Sequence, residues 1–220
     1  CDIGNAYLNA PCREQIWFEA GPEFGSQQGK VVKIVRALYG LKSSGASWRN
    51  MFQTTIREMG FSPTVVDPDV YRRRTSKANG FEYYELIVVY VDDVLIISHD
   101  PKPHLEYLQQ YYEMNPKSVG EPTRYLGADV AKVMRPGEQT GLEYWSFSAR
   151  TYVHNAVQNV KQLLAAEERG LKATAKTPFP SAAYHPELDT TEELNATMAS
   201  RYAQLIGVLR WAVELGRLDI

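Results

Sequence analysis

The sequence predicts an α+β fold with a largely antiparallel sheet, and three observations carry that reading. The stretch Glu82 to Ser98 is apolar except where Asp92-Asp93 interrupts it, so it reads as two strands folded against each other. Trp48, Met51, Phe52, Ile56 and Met59 recur at helical spacing. Strands, a helix, a hairpin and further helices follow in blocks, without the one-to-one alternation of a parallel sheet. At 220 residues and 44% hydrophobic content, the chain can bury the core of one large domain or somewhat more.

Taken in order, Cys1 to Ala10 reads as the end of a strand turning into a short helical stretch. Gln15 to Glu19 and Val31 to Leu38 read as strands flanking the loop Gly21 to Lys30. The amphipathic helix begins near Ser44, itself the expected N-cap, and Gly60 stops it. Asp69 to Arg72 is strand-like, and Glu82 to Val91 pairs with Val94 to Ser98 across the Asp-Asp turn. Asp100 offers an N-cap to a helix with prolines in its first turn and Leu105, Leu108, Tyr111 and Tyr112 on its face. Thr123 to Met134 and Leu142 to Phe147 form a hairpin around Arg135 to Glu138. A helix over about Ala149 to Ala166 follows, with Tyr152, Val153, Ala156, Val157, Val160, Leu163 and Leu164 as its stripe and Gly170 beyond it. Thr177 to Asn195, with Pro178, Pro180 and Pro186, reads as linker. A last helix spans roughly Ala196 to Leu215.

Composition narrows the function classes. The net charge is −2, from 24 basic and 26 acidic groups, so no global basic field points to nucleic acid. Only the local cluster Arg72-Arg73-Arg74 does. It reads either as a set of phosphate contacts or as a solvated face that discourages edge pairing. Cys1 and Cys12 are too few for a disulfide framework or thiolate zinc site, which fits a reducing intracellular compartment. His99, His104, His154 and His185 lack metal-motif spacing and read as surface or satisfied core residues. No segment has the length of a membrane span or the form of a signal peptide. The start at Cys1, without methionine, reads as a fragment of a longer polypeptide.

The chemistry concentrates in Tyr90-Val91-Asp92-Asp93. Ionised carboxylates inside an apolar run cost several kcal/mol unless partnered, which suggests a cation as part of the site. Mg²⁺ suits carboxylate ligation combined with substrate phosphates. A plain hairpin turn explains Asp-Asp equally well from these residues alone. Asp2 is the second informative acid. If its strand lies beside the Tyr90 hairpin, Asp2 and Asp92 converge at one end of the sheet, and three carboxylates there could bind two Mg²⁺ for in-line phosphoryl transfer.

Asp2-Ile-Gly-Asn-Ala-Tyr-Leu-Asn9, Ala37-Leu-Tyr-Gly-Leu-Lys-Ser-Ser44 with Ala46-Ser-Trp48, Gly60-Phe61 with Asp67-Pro68 and Val70-Tyr71, and Tyr90-Val-Asp-Asp93 occur in this order. Together they resemble the reverse transcriptase domain of copia-type LTR retrotransposons. The similarity continues through Tyr125-Leu-Gly127, Lys176-Thr-Pro178 and Arg201-Tyr-Ala-Gln-Leu-Ile-Gly207 to Leu218-Asp-Ile220, and so covers essentially the whole chain. It implies a polymerase palm with an antiparallel sheet flanked by helices, partial fingers between Gln15 and Arg74, and the start of a thumb. The implied division is 1–176 for palm, partial fingers and beginning of thumb, 177–195 for a linker, and 196–220 for a helix leading toward a connection region.

The resemblance implies an RNA-directed DNA polymerase using two Mg²⁺ ions, with Mn²⁺ as a substitute. Its partners would be an RNA or DNA template with primer and deoxynucleoside triphosphates, with no membrane, in a cytoplasmic virus-like particle. Asp2, Asp92 and Asp93 match the catalytic acids and metal ligands, Asp93 pointing differently from the other two. Ile3 would ligate through its carbonyl. Tyr7 matches the aromatic steric gate under the incoming sugar, or else is an aromatic of the core. Tyr39 and Gly40 match the loop that approaches the nucleotide; Lys42, Ser43 and Ser44 could contact template or phosphate. Lys117 falls where the family carries a lysine proposed to protonate the leaving pyrophosphate, and otherwise reads as a surface lysine. Tyr125-Leu126-Gly127 resembles the primer-grip hairpin, with core packing an equal explanation for Leu126.

Ala10 departs from the family's glycine and Gly45 from its frequent proline, neither touching the acids. The basic finger strands would lie upstream of Cys1, and no ribonuclease H, integrase or protease motif is visible. Two rivals stay open. One is an inactive palm remnant that at most binds nucleic acid; the other is an unrelated metal-dependent phosphohydrolase, which leaves the Tyr7 and Tyr39-Gly40 contexts unexplained.

Overall fold

Hairpin formation organises the structure, a computed structural model that describes residues 1–135, 137, 141–166, 168–171 and 190–217. These fall into two units, Cys1–Glu121 and Pro122–Ile220. Mixed α and β structure with antiparallel sheets is found, as the sequence predicts. The single sheet expected is instead three separate ones among the described residues.

In the first unit, Asp2 and Ile3 make isolated bridges before helix α1, Ala6–Asn9. Strands β1 (Trp17–Glu19) and β2 (Val31–Lys33) pair antiparallel around a 3-10 helix, Pro22–Gln27. Helix α2 spans Ser44–Glu58. Then come β3 (Ser62–Pro63), β4 (Val70–Ser76), β5 (Glu82–Tyr90) and β6 (Asp93–Ile97), an all-antiparallel sheet in that order. Helix α3, Lys102–Gln109, and a 3-10 turn, Pro116–Ser118, close the unit.

Strand alternation decides what this sheet buries. Tyr71, Ile87 and Val94 turn one way and are 2%, 0% and 1% exposed, meeting the apolar stripe of α2. Trp48 stacks on Phe52 at 5.0 Å, and Tyr112 packs edge-on against both at 5.4 and 5.3 Å. The Tyr112 hydroxyl also reaches Thr55 Oγ1 at 2.7 Å, so its one polar atom is satisfied inside the core. Each such fully buried large side chain contributes about 1.5–3 kcal/mol against the entropy of ordering it.

The second unit holds β7 (Arg124–Tyr125), β8 (Ala128–Met134) and β9 (Glu143–Ser148) in a three-stranded antiparallel sheet, with helices α4 (Arg150–Ala165) and α5 (Ala196–Glu214). The β7–β8 turn is Leu126-Gly127, both with positive φ, as a two-residue hairpin requires. A Cβ at Gly127 would lie 3.4 Å from the Trp211 indole nitrogen, so the position is constrained by space as well as by φ. The Tyr152 hydroxyl donates to the Val208 carbonyl at 3.1 Å, fastening α4 to α5.

Several local expectations are corrected. Ser44 is not the N-cap: it is the first helical residue, 1% exposed, with no hydrogen-bond partner for its hydroxyl. Ser43 holds the cap position, but it caps nothing itself. Its N–H and hydroxyl both donate to Glu14 Oε1, at 2.9 and 2.6 Å, so a carboxylate distant in sequence sits at the helix start. The strand expected through Leu38 ends at Lys33, with only an Arg36–Pro11 bridge beyond it. Pro101 occupies the cap position of α3, yet Asp100 still accepts from the Lys102 N–H at 3.3 Å. Tyr111 and Tyr112 fall past the end of that helix. No residue of α4 is fully buried, so its stripe only half-covers its surroundings.

The arginine run also divides. Arg72 and Arg74 are exposed, but Arg73 turns to the core side and forks onto Glu85 Oε2 at 3.0 and 2.6 Å. Glu85 is 4% exposed and takes His104 at 3.1 Å and Ser98 at 2.6 Å on its other oxygen. His104 is thus a satisfied core residue, as expected. Lys176 to Pro178, residues 177–189 of the expected linker, His185, Pro136 and Glu138 of the hairpin loop, and Leu218 to Ile220 lie outside the described residues. No helix among the described residues is long and apolar enough to cross a membrane.

Candidate active site

The β5–β6 turn is as tight as a hairpin allows. Tyr90 pairs with Asp93, which leaves Val91 and Asp92 as the two turn residues. The first residue of such a turn needs positive φ, and Val91 adopts φ 57 although it is β-branched. Its carbonyl accepts from the Trp48 indole N–H at 2.6 Å.

The Asp2 segment is laid against this turn by backbone pairing. Asp2 bridges Asp93 antiparallel, the Ile3 N–H donates to the Asp92 carbonyl at 2.9 Å, and the Val94 N–H donates to the Cys1 carbonyl at 2.8 Å. On the other side, Ile3 bridges Met114, with Gly4 N–H to Glu113 O at 2.9 Å and Asn115 N–H to Asp2 O at 3.1 Å. Neither bridge uses the Ile3 carbonyl. The Asp2 N–H donates to Ser118 Oγ at 2.7 Å, and that hydroxyl donates on to the Asn115 carbonyl at 2.8 Å. Lys117, exposed, therefore rides on a turn bound directly to the Asp2 strand.

Electrostatics reports the same gathering of charge. The Asp93 carboxyl is pushed above its ordinary range, by burial first and then by the charges of Asp92 and Asp2. The Tyr39 hydroxyl is raised by partial burial and then by Asp92, Tyr7 and Asp2. Like charges held this way suit a hard divalent cation, and carboxylates are the donor type such a cation prefers. Among the described residues, however, no group of three Asp, Glu, His or Cys side chains closes into a metal cage. Mg²⁺ is typically held by one or two carboxylates with waters and substrate phosphates making up the rest, so such a cation does not require a closed cage of side chains.

Tyr7 and Tyr39 sit together, ring centroids 4.4 Å apart and planes tilted by 35°. Tyr7 is half-buried and Tyr39 is 62% exposed. Gly40 has φ 93, and no heavy atom lies within 4 Å of where its Cβ would be, so here conformation and not crowding calls for glycine. Lys42 is exposed and lies near enough to help lower the Glu14 carboxyl, after the two Ser43 hydrogen bonds. Behind the turn, Tyr7, Trp48, Phe52, Tyr71, Val89 and Val91 line a pocket of about 130 Å³, with the Arg49–Asp69 ion pair of 2.7 Å at its lining.

Structure thus brings Asp2, Ile3, Asp92 and Asp93 into one backbone-paired group, places the Lys117 turn beside Asp2, and pairs Tyr7 with Tyr39. Gly40 and Lys42 follow Tyr39 on the same loop. Two supporting residues were missed in the sequence. Trp48 stands in the apolar stripe and in the Ala46-Ser-Trp48 motif with no role of its own, although a buried indole N–H must find an acceptor. Ser118 carries no local signal, because its partner is 116 residues away.

An acid-bearing hairpin turn joined to a second acid on a neighbouring strand defines a class of site that comparison with known proteins makes specific. The family model described as "Reverse transcriptase (RNA-dependent DNA polymerase)" matches residues 1–159, and the chain belongs to that family. Within it, the relatives are transposon Pol polyproteins of the copia type. The Pol polyprotein of transposon TNT 1-94 from Nicotiana tabacum is 27% identical across 100% of this chain and 16% of its own length. The transposon Ty5-1 protein of Saccharomyces cerevisiae is 25% identical across 100% of this chain and 65% of its own. The Pol polyprotein of transposon RE1 from Arabidopsis thaliana is 25% identical across 96% and 13%. The chain therefore spans between about an eighth and two thirds of these relatives. No solved structure matches it.

Proposed function

We propose that this chain is the palm, with partial fingers and the start of a thumb, of an RNA-directed DNA polymerase. It would add deoxynucleotides to a primer 3′-hydroxyl on an RNA or DNA template. The observation that carries the reading is the Asp2–Asp93 bridge, which sets a second acidic segment beside the acids at the β5–β6 turn.

In this reading Asp2, Asp92 and Asp93 would hold two Mg²⁺ ions, with the Ile3 carbonyl as a further ligand. When bound, the ions supply Lewis-acid activation of the primer hydroxyl and neutralise charge on the departing pyrophosphate. Tyr7 lies under the sugar and rejects a ribose 2′-hydroxyl, supported by Tyr39 at 4.4 Å. The Tyr39-Gly40 loop approaches the nucleotide, and Lys42 meets a phosphate. Lys117 donates a proton to the leaving pyrophosphate from its turn beside Asp2. A virus-like particle is the setting that the transposon relatives suggest.

Extension of a DNA primer on an RNA template tests this directly. Asp92→Asn is expected to lower the rate by at least about 1000-fold, the factor for several kcal/mol of lost charge stabilisation. Equal rates in the two proteins would refute the mechanism. An active site dead in both, with primer-template binding retained, would instead favour an inactive remnant.

A further inference from the structure

Val91 holds a backbone conformation that its own side chain disfavours. A two-residue hairpin turn ordinarily places glycine, asparagine or aspartate at its positive-φ positions. A β-branched residue at φ 57 is an outlier that the surroundings must over-determine. What surrounds it is specific. The Trp48 indole N–H donates to the Val91 carbonyl at 2.6 Å and so joins α2 to the turn.

Trp48 is itself fixed. It is 2% exposed, stacked on Phe52 with planes 15° apart, and braced edge-on by Tyr112. An indole has one donor and no acceptor, and buried here it commits that donor to the turn. The same indole and Val91 line the pocket that also takes in Tyr7. One core side chain therefore touches the backbone that carries Asp92 and the cavity beside the aromatic pair.

We infer that Trp48 is a positioning residue for the Val91-Asp92 turn that leads into Asp93. Its N–H latches the Val91 carbonyl, holds the left-handed conformation against the preference of valine, and so aims the carboxylates that follow. The consequence for catalysis rests on the polymerase reading above; the latch itself does not. Loss of the donor lets the turn relax toward conformations that valine prefers, moving Asp92 relative to Asp2 while leaving the surfaces that meet primer and template in place.

Two measurements test this. The first is hydrogen exchange of the four indole N–H groups in ¹⁵N-labelled protein. Trp48 is expected to exchange at least about 100-fold more slowly than Trp17 and Trp145, which are 56% and 48% exposed. Exchange of Trp48 as fast as theirs would overturn the latch, whatever the chain catalyses.

The second compares Trp48→Phe, Val91→Gly and the double variant in single-nucleotide extension. Trp48→Phe keeps an aromatic ring against Phe52 and loses the donor together with the second ring of the indole, a volume loss that Val91→Gly would not repair. It is expected to lower kcat about tenfold, the factor for one ordinary net hydrogen bond. It should also raise the Mg²⁺ concentration for half-maximal rate, with primer-template affinity unchanged. Adding Val91→Gly is expected to recover the part of the kcat loss that comes from the donor, since glycine holds positive φ unaided. A folded Trp48→Phe protein with normal kcat and Mg²⁺ dependence, or a double variant no better than Trp48→Phe, would overturn the inference. If wild type extends no primer, the polymerase reading falls while indole exchange still judges the latch, as it does if Trp48→Phe fails to fold.

Discussion

Replacing Glu85 by glutamine should reveal how much of the first unit's stability depends on one buried carboxylate. Burial alone would raise its pKa, yet Ser98, His104 and Arg73 bonding to it outweigh that and hold it at about 2, against an ordinary 4.5. A carboxyl depressed by that amount contributes on the order of 3 kcal/mol to folding at neutral pH. The figure is an upper bound, because the Arg73 side chain is 33% exposed and its share is screened. Because the folded pKa is the lower one, the contribution is complete above about pH 4.5 and is lost as pH falls toward 2. Urea unfolding of wild type and Glu85→Gln is the assay. A gap of about 2–3 kcal/mol is expected at pH 7, shrinking to roughly half that or less by pH 3. A gap below about 1 kcal/mol at pH 7, or one constant from pH 7 to pH 3, would refute the reasoning, because the first denies the pairing and the second denies its ionic character.

Ser44→Ala removes a buried hydroxyl that has no partner, so it should leave the chain as stable or raise stability by about 0.5–1 kcal/mol in the same unfolding experiment. Tyr7→Val, which deletes one ring of the Tyr7–Tyr39 pair, should relax discrimination against ribonucleotides by at least about tenfold while deoxynucleotide incorporation persists. Competition between the two nucleotide types on one primed template measures it.

What was legible in the sequence follows the range of the interactions concerned. Helix α2 and the β5–β6 hairpin declare themselves through local periodicity and an acid pair in an apolar run. The convergence of Asp2 with that hairpin was conditional on a strand pairing, and the Asp2–Asp93 bridge supplies it. Contacts between distant residues left no local trace. The Glu14 carboxylate at the start of α2 displaced the expected Ser44 cap, because Ser43 gives both its donors to a residue 29 positions earlier. Arg73 looked like its exposed neighbours until strand alternation turned it toward Glu85. Trp48 was visible as a helix residue, but the acceptor its indole reaches lies 43 positions on, at Val91.

The fastening of Asp2 has a consequence for how the chain comes together during synthesis. Its strand is held by Asp92, Asp93 and Val94 on one side and by Glu113, Asn115 and Ser118 on the other. The β5–β6 hairpin and α2 can form from neighbours in sequence, but the Asp2 segment pairs with residues about 90 positions on and gains its second flank only once Glu113 to Ser118 are in place. Loop closure across so long a span delays the step and leaves the Asp2 segment unpaired in the meantime. A chain cut before Glu113 should therefore keep the Asp2–Asp93 bridge without the second flank, and the segment around Asp2 should be cleaved by protease faster than the β5–β6 turn. The Asp2–Asp93 pairing is thus among the last in the first unit to gain its full support.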